Sequence, residues 1–164
     1  MKQIYYTRFE SPFCPITLAG NEDGLMHLHL HTLDGKRTFA IKKDWIENDE
    51  FFLDVVNQIG EYFEGSRKRF DVKLNLDGTV YQKRVWAALQ SIPFGECRSY
   101  KEMAVSISNE RASRAVGAAN GKNPIPLIIP CHRVIGSNGN LTGFAHGLTI
   151  KGKLIEFEQK VCMN

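Results

Sequence analysis

Cys131 and His132 stand side by side in the segment "PIPLIIPCHRVIG", residues 124–136. A thiol attacks carbon only as thiolate, and a neighbour that takes or neutralises its proton lowers its pKa from about 8.5 toward 7 or below. His132 is the candidate partner, yet consecutive residues of an extended chain point to opposite sides. The couple therefore needs a sharp backbone turn or a bridging water, and Pro130, which fixes one backbone angle, favours a defined turn. A buried cysteine beside a surface histidine is the alternative.

The last helical pattern brings in a third group. Its apolar stripe runs Leu154, Phe157, Val161, and Glu158 falls inside it. A carboxylate on a buried face needs a cationic or hydrogen-bonding partner to offset its desolvation. His132 fits that need, and so does Lys151, two turns back on the same side. A Glu158–His132 contact would orient the ring and let it hold a proton, so that Cys131 ionises through a relay. A structural salt bridge at the helix surface is the other reading.

These residues have to be positioned by their surroundings. The chain opens as strands: QIYYTRFE, CPITLAG and, after the turn NEDG, LMHLHLH, with Met26, Leu28 and Leu30 on one face and His27, His29 and His31 on the other. A helix follows, in which Phe52, Val55, Val56, Ile59, Tyr62 and Phe63 keep helical spacing and Gly65 closes the end. The basic stretch SRKRF leads into another alternating strand from Phe70 to Leu76.

Strand patterning stops at the turn LDGT, residues 76–79, which divides the chain into 1–77 and 78–164. Four helical patterns come after it. YQKRVWAALQ ends at the Ile92-Pro93-Phe94-Gly95 turn, and the next begins at Ser99 with a capping box completed by Glu102. Tyr100, Met103, Ala104 and Ile107 form its stripe. After a break at Ser108–Glu110, a third helix is expected to bury Ala112, Ala115, Val116 and Ala119 and to present Arg111 and Arg114 on its other side. Two short helices joined by a tight turn fit a helix-turn-helix or an ordinary helical hairpin with solvated arginines. The small residues Ala115, Gly117, Ala118 and Ala119 allow close approach to a partner backbone, of which a nucleic-acid groove is one kind.

The 164 residues, 43% hydrophobic and 24% charged, suit a globular protein with a sizeable core. No stretch approaches the roughly 18 apolar residues of a membrane span, and MKQIYYTRFE lacks a signal peptide's apolar centre, so an intracellular protein is expected. Cys14, Cys97, Cys131 and Cys162 are unevenly spaced without a CxxC pair, and reduced thiols are expected. Charge is uneven: residues 1–77 carry 10 Lys and Arg against 13 Asp and Glu, whereas residues 78–164 carry 11 against 5. The second half is where a polyanion would bind.

"IPCHRVIG", preceded by "RAVGAANGKNPIP" and followed by "NLTGFAHGL" and "KGKLIEFE", resembles the O6-alkylguanine-DNA alkyltransferase family, the methylated-DNA–protein-cysteine methyltransferases, over residues 79–158. For residues 1–77 the resemblance is general. It implies an α+β protein: an N-terminal ribonuclease-H-like α/β lobe, then a mainly helical, winged-helix-like lobe with a helix-turn-helix. It implies that Cys131 takes an alkyl group from guanine O6 in one in-line displacement and keeps it, with O4-alkylthymine a further possible substrate. His132 and Glu158 then form the relay through a water, Asn123 supports the active-site turn, Tyr100 donates to the departing guanine, and Lys151 assists nearby.

The same resemblance places Arg114 as the finger that replaces the flipped nucleotide, with Arg111, Ser99, Ala115, Ala118 and Arg133 toward DNA, and Phe144, Ala145, Val134 and Pro126 around the base. It implies a monomer acting on double-stranded DNA containing O6-alkylguanine; no cofactor, metal or membrane partner is expected, and the location expected is cytoplasmic, or nuclear if the source is a eukaryote.

Five positions depart from the family pattern. Phe144 stands where tyrosine is common, His146 replaces a glycine, Ser108 and Glu110 replace a Gly-x-Pro turn, and Cys97 replaces a threonine. These bear on substrate range more than on the relay. Zinc-bearing relatives use Cys and His of the first lobe; here Cys14 and the row His27, His29, His31 are available. Alternate residues of a strand lie about 7 Å apart and the outer pair about 13 Å, so one zinc cannot take all three from a straight strand. The rival functions are a non-enzymatic lesion-binding module of the alkyltransferase-like type, which substitutes the cysteine, a helix-turn-helix regulator, and a cysteine hydrolase.

Overall fold

The computed structural model describes residues 1–107 and 110–164. Strands β1 (Tyr5–Glu10), β2 (Pro15–Asn21) and β3 (Gly24–Leu30) form the expected antiparallel meander. A two-residue strand, β4 (Ile46–Glu47), adds parallel to β1 and completes the order β3-β2-β1-β4. The β2–β3 register shifts at Ala19/Gly20, because Ala19 faces His27 while Gly20 faces Leu25. Met26 is thus the bulged residue, and Leu25 takes the core position expected for it, beside Leu28 and Leu30.

The histidine row does not form a solvated face. His29 is buried, stacked on Phe39 and 5.0 Å from the ring of His146, while His27 packs against Phe39 and Trp45. Among the described residues no group of three His, Cys, Asp or Glu is placed to hold a metal ion.

Helix α1 (Leu53–Glu64) follows a 3-10 turn at Glu50–Phe52. The turn buries Phe52 and the helix Ile59 and Tyr62 in the core, and Gly65 ends the helix in the left-handed conformation that glycine adopts without strain. Residues 70–76 do not form the expected strand. Only Leu74 bridges to Leu25, where the Leu25 amide donates to Lys73 O and the Asn75 amide to Leu25 O, both at 2.8 Å. Further pairing along β3 is blocked, because the Leu28 amide donates to Pro124 O at 2.9 Å. The free edge of the sheet is used to hold the segment that carries Cys131.

Helix α2 (Val80–Leu89) starts at a capping box between Thr79 and Gln82 that the sequence reading overlooked. Strand β5 (Arg98–Ser99) pairs with β6 (Val134–Ile135), and α3 (Tyr100–Ile107) begins with the expected box. There the Ser99 amide donates to Glu102 Oε1 at 3.1 Å and the Glu102 amide to Ser99 Oγ at 3.0 Å. After a 3-10 turn at Glu110–Ala112 comes α4 (Ser113–Gly121); Ser108, at the expected break, lies outside the described residues. Val116 and Ala119 are buried as expected, but Ala115 is exposed, because its position turns it to the side of Arg114 and Ala118. Helix α5 (Leu148–Met163) closes the chain.

One continuous core joins the two halves: Ile16, Leu18 and Leu28 of the sheet, Tyr62 of α1, Val85 and Trp86 of α2, and Ile125–Ile129. Each such aliphatic side chain contributes about 1.5–3 kcal/mol on burial. The Trp86 indole N–H donates to Ala119 O at 2.9 Å and fixes α2 against α4. The architecture is α+β, a sheet-and-helix lobe followed by a mainly helical one.

Candidate active site

The segment from Lys122 to Val134 is stiffened at several points. Leu127 holds a φ of 77°, a left-handed conformation that costs a non-glycine residue about 1 kcal/mol or more. Asn123 braces both sides of it: its Oδ1 accepts from the Ile125 amide at 2.9 Å and its Nδ2 donates to Ile129 O at 2.8 Å. Arg37, from the first lobe, donates to Asn123 O at 2.5 Å. The chain then enters a 3-10 turn over Cys131–Arg133, the sharp turn that the Cys-His adjacency requires. Asn120 Nδ2 reaches Cys131 O at 3.4 Å.

Cys131, His132 and Glu158 are all buried, at 3%, 0% and 1% exposure. His132 Nε2 meets Glu158 Oε2 at 2.7 Å, as the apolar-stripe argument predicts. His132 Nδ1 is buried with no hydrogen-bond partner among the described residues. Glu158 also accepts from Tyr62 Oη at 2.5 Å, from the Gly95 amide at 3.2 Å, and from both Nε and Nη2 of Arg133 at 2.8 and 3.1 Å. Gly95 has a φ of 86°, and a Cβ there would come within 2.5 Å of Cys162 Sγ, so only glycine can present its amide here.

Arg133 corrects the sequence reading. It does not face DNA: it is 6% exposed, its fork grips Glu158, and its Nη1 donates to Ile92 O at 2.6 Å. An ionised guanidinium cannot be buried without such partners. Lys151 is corrected as well. It is buried, and its Nζ donates to Thr142 O at 2.6 Å rather than to Glu158.

Burial governs the proton affinities. It would raise the Glu158 carboxyl, but His132 and Arg133 outweigh it and hold that group well below the usual carboxylate range. It pushes His132 below its ordinary value, with Glu158 opposing. It pushes the Cys131 thiol up to about 11, against the Asn123 side chain and the charges of Lys151 and Arg37. The resting thiol is therefore protonated at neutral pH, contrary to the lowered pKa expected from its neighbours. Desolvation of a thiol this enclosed exceeds the attraction of two cations.

Tyr100 Oη donates to the same Thr142 carbonyl at 3.0 Å. The Lys151 ammonium lies 5.8 Å from the Tyr100 ring centre and 5.9 Å from that of Phe144, and burial lowers it to about 8. Lys151 and Tyr100 both lie within electrostatic reach of the Cys131 sulfur. The structure thus brings Cys131, His132, Glu158, Tyr100, Asn123 and Lys151 into one centre.

Of the expected base-contacting residues, Phe144 and Ala145 border a recess of about 660 Å3 together with Gly117, Ala118, Gly121 and Leu148. Pro126 and Val134 do not border it. Val134 is fully enclosed in β6 opposite Arg98, and Pro126 is buried in its bridge to Ile129. Arg111, Arg114, Ala115 and Ala118 are exposed on α4 and the turn before it, and Ser99 caps the start of α3.

Sequence reasoning missed Tyr62, Arg37, Asn120 and Gly95. Tyr62 carried a usable signal, since a tyrosine inside an apolar stripe needs a partner for its hydroxyl. Arg37 and Gly95 act through contacts 86 and 63 residues away, which no local pattern reveals.

Comparison with known proteins agrees with this arrangement. The ribonuclease-like domain of 6-O-methylguanine DNA methyltransferase matches residues 4–76, and the DNA-binding domain of the same proteins matches residues 80–160. A methylated-DNA–protein-cysteine methyltransferase of Methanosarcina barkeri is 56% identical over 156 residues, covering 95% of this chain and 98% of the relative. The crystal structure of Mycobacterium tuberculosis OGT in complex with DNA superposes with a TM-score of 0.88 at 44% identity, covering 96% of this chain and 94% of that one. The chain belongs to the 6-O-methylguanine DNA methyltransferase family.

Proposed function

We propose that this protein repairs O6-alkylguanine in double-stranded DNA by moving the alkyl group onto Cys131, once per molecule. The observation that carries the proposal is the enclosed Cys131 thiol beside a histidine whose far nitrogen is held by a saturated carboxylate.

The step balances on this chain's own groups. The thiol proton passes through a water to His132 Nδ1, and the imidazolium is held by Glu158 Oε2. The thiolate attacks the alkyl carbon in line, the S–C bond forms as the C–O6 bond breaks, and the electron pair returns to the guanine. Tyr100, turning its hydroxyl from the Thr142 carbonyl, supplies a proton or hydrogen bond to that departing base, and the nearby Lys151 ammonium offsets the negative charge left on the phenol. No water attacks the thioether, so the acceptor is consumed. The same chemistry on O4-alkylthymine needs only a base of the other ring size presented to the thiolate.

Reaching O6 requires base flipping. In this reading α3 and α4 act as a helix-turn-helix, with exposed Ala115 and Ala118 against the DNA backbone, Arg114 filling the stack, and Arg111 and the Ser99 hydroxyl on phosphates. The net positive charge of residues 78–164 supplies sequence-independent affinity. The protein acts as a cytoplasmic monomer, its two lobes dividing at 77/78. No helix of the described residues is long and apolar enough to cross a membrane.

The test uses a duplex carrying one O6-[methyl-labelled] guanine. Label is expected on the protein with wild type and none with Cys131→Ser. Retained lesion binding by wild type without transfer of label would instead support a non-enzymatic binding module.

A further inference from the structure

Glu158 Oε2 receives three donors: His132 Nε2 at 2.7 Å and Tyr62 Oη at 2.5 Å, from residues 26 and 96 positions away, and Arg133 Nη2 at a longer 3.1 Å. The two shorter ones compete most directly. Tyr62 belongs to α1 of the first lobe and is completely buried. Its ring is fixed among Phe63, Phe70, Phe94 and Phe157, with centroids 5.1 to 5.7 Å away, so the hydroxyl has one direction in which to point.

We propose that Tyr62 is a positioning residue that restrains the relay: by donating to the carboxylate oxygen that His132 uses, it weakens that oxygen's hold on an imidazolium and so makes transfer of the Cys131 proton to His132 less favourable. The proposal rests on the alkyl-transfer reading above.

The physical basis is the finite charge of one carboxylate. Every donor that satisfies Oε2 lowers its affinity for the next, so hydrogen bonding to Tyr62 reduces the gain when His132 takes up a proton. Burial and the Glu158 charge push the Tyr62 phenol well above its ordinary value, so it remains a donor. The other groups around this centre are the Arg133 fork and the Cys131 thiol from the 3-10 turn, the Gly95 amide and the Cys97 thiol before β5, and Lys151 on α5. Arg133 and Gly95 keep Glu158 in place when the Tyr62 hydroxyl is removed. A thiol that is spent after one reaction gains protection from adventitious electrophiles if it is ionised only when needed.

The experiment measures the single-turnover rate of methyl transfer from an O6-methylguanine duplex against pH, in wild type and Tyr62→Phe. Transfer by wild type is the control for the functional reading; its absence would overturn that reading separately. In Tyr62→Phe the acid limb is expected to move to higher pH and the rate near neutrality to rise about threefold to tenfold, the scale of one hydrogen bond. A profile that superposes on wild type, or a slower rate with the limb unmoved, would overturn the proposal. A second variant carries 3,5-difluorotyrosine at position 62 only, a stronger donor of nearly the same shape. It is expected to shift the limb and the rate the opposite way, and a shift in the same direction as Tyr62→Phe would overturn the proposal even if the phenylalanine variant does not fold.

Discussion

Tyr100 Oη and Lys151 Nζ donate to one acceptor, the carbonyl of Thr142, at 3.0 and 2.6 Å. The shared carbonyl sets a phenol and a buried ammonium side by side within electrostatic reach of Cys131. Such a pair can deliver a proton to a leaving group and then stabilise the phenolate left behind. Tyr100→Phe is therefore expected to slow transfer from O6-methylguanine by about 10²-fold, the usual contribution of a positioned general acid. Alkylation of Cys131 by iodoacetamide, which releases iodide without needing a proton, is expected to be unchanged. Equal losses in both reactions would place Tyr100 in the support of the thiol instead.

Glu158→Gln leaves the Arg133 guanidinium and the His132 ring buried without their carboxylate. Breaking a buried pair in this way costs about 3–5 kcal/mol, so a lower urea midpoint is expected together with loss of transfer. The folded pKa of Glu158 lies well below its ordinary 4.5. Its contribution is thus complete above about pH 4.5 and is lost as pH falls toward the folded value. Stability that declined equally steeply below pH 4.5 in wild type and variant would contradict this.

His146 is 3% exposed, 5.0 Å from His29, and burial lowers it from 6.5 to about 3. The unfolded chain binds a proton in that interval and the folded chain does not, so stability falls as pH drops from about 6.5 toward 3, by up to about 1.4 kcal/mol per pH unit from this group. His146→Gln is expected to flatten the dependence of urea stability on pH between 6.5 and 4. The same position borders the Phe144 ring at 5.7 Å, so the variant is also expected to change the ratio of rates for methyl and benzyl lesions.

Arg114 lies on the exposed side of α4 and takes no part in the relay. Arg114→Ala is expected to lower transfer from duplex DNA at least tenfold while leaving reaction with free O6-benzylguanine base at the wild-type rate. Matching losses on both substrates would rule out a role in base extrusion.

Much of this centre was legible in the sequence because it rests on local signals. Glu158 inside an apolar stripe predicted a buried partner, and His132 is that partner. The Ser99–Glu102 box predicted the start of α3. The failures share a cause, which is that a side chain's environment depends on elements far away in sequence. Arg133 reads as a surface cation until Ile92 and Glu158 are seen to surround it. Residues 70–76 alternate like a strand, but Pro124 occupies the edge they would need. The Cys131 thiol has cationic neighbours, yet its enclosure decides its protonation. Met26 lost its core position to a one-residue bulge that strand periodicity alone does not register.

In the proposed reaction one alkyl group ends on one sulfur. Intact mass is therefore measured after incubation with a tenfold excess of O6-methylguanine duplex. A gain of a single methyl group per chain is expected, mapped to the peptide holding Cys131, with no further gain at longer times and none in Cys131→Ser. An unchanged mass while the lesion disappears, or methyl on any other residue of the chain, would contradict it.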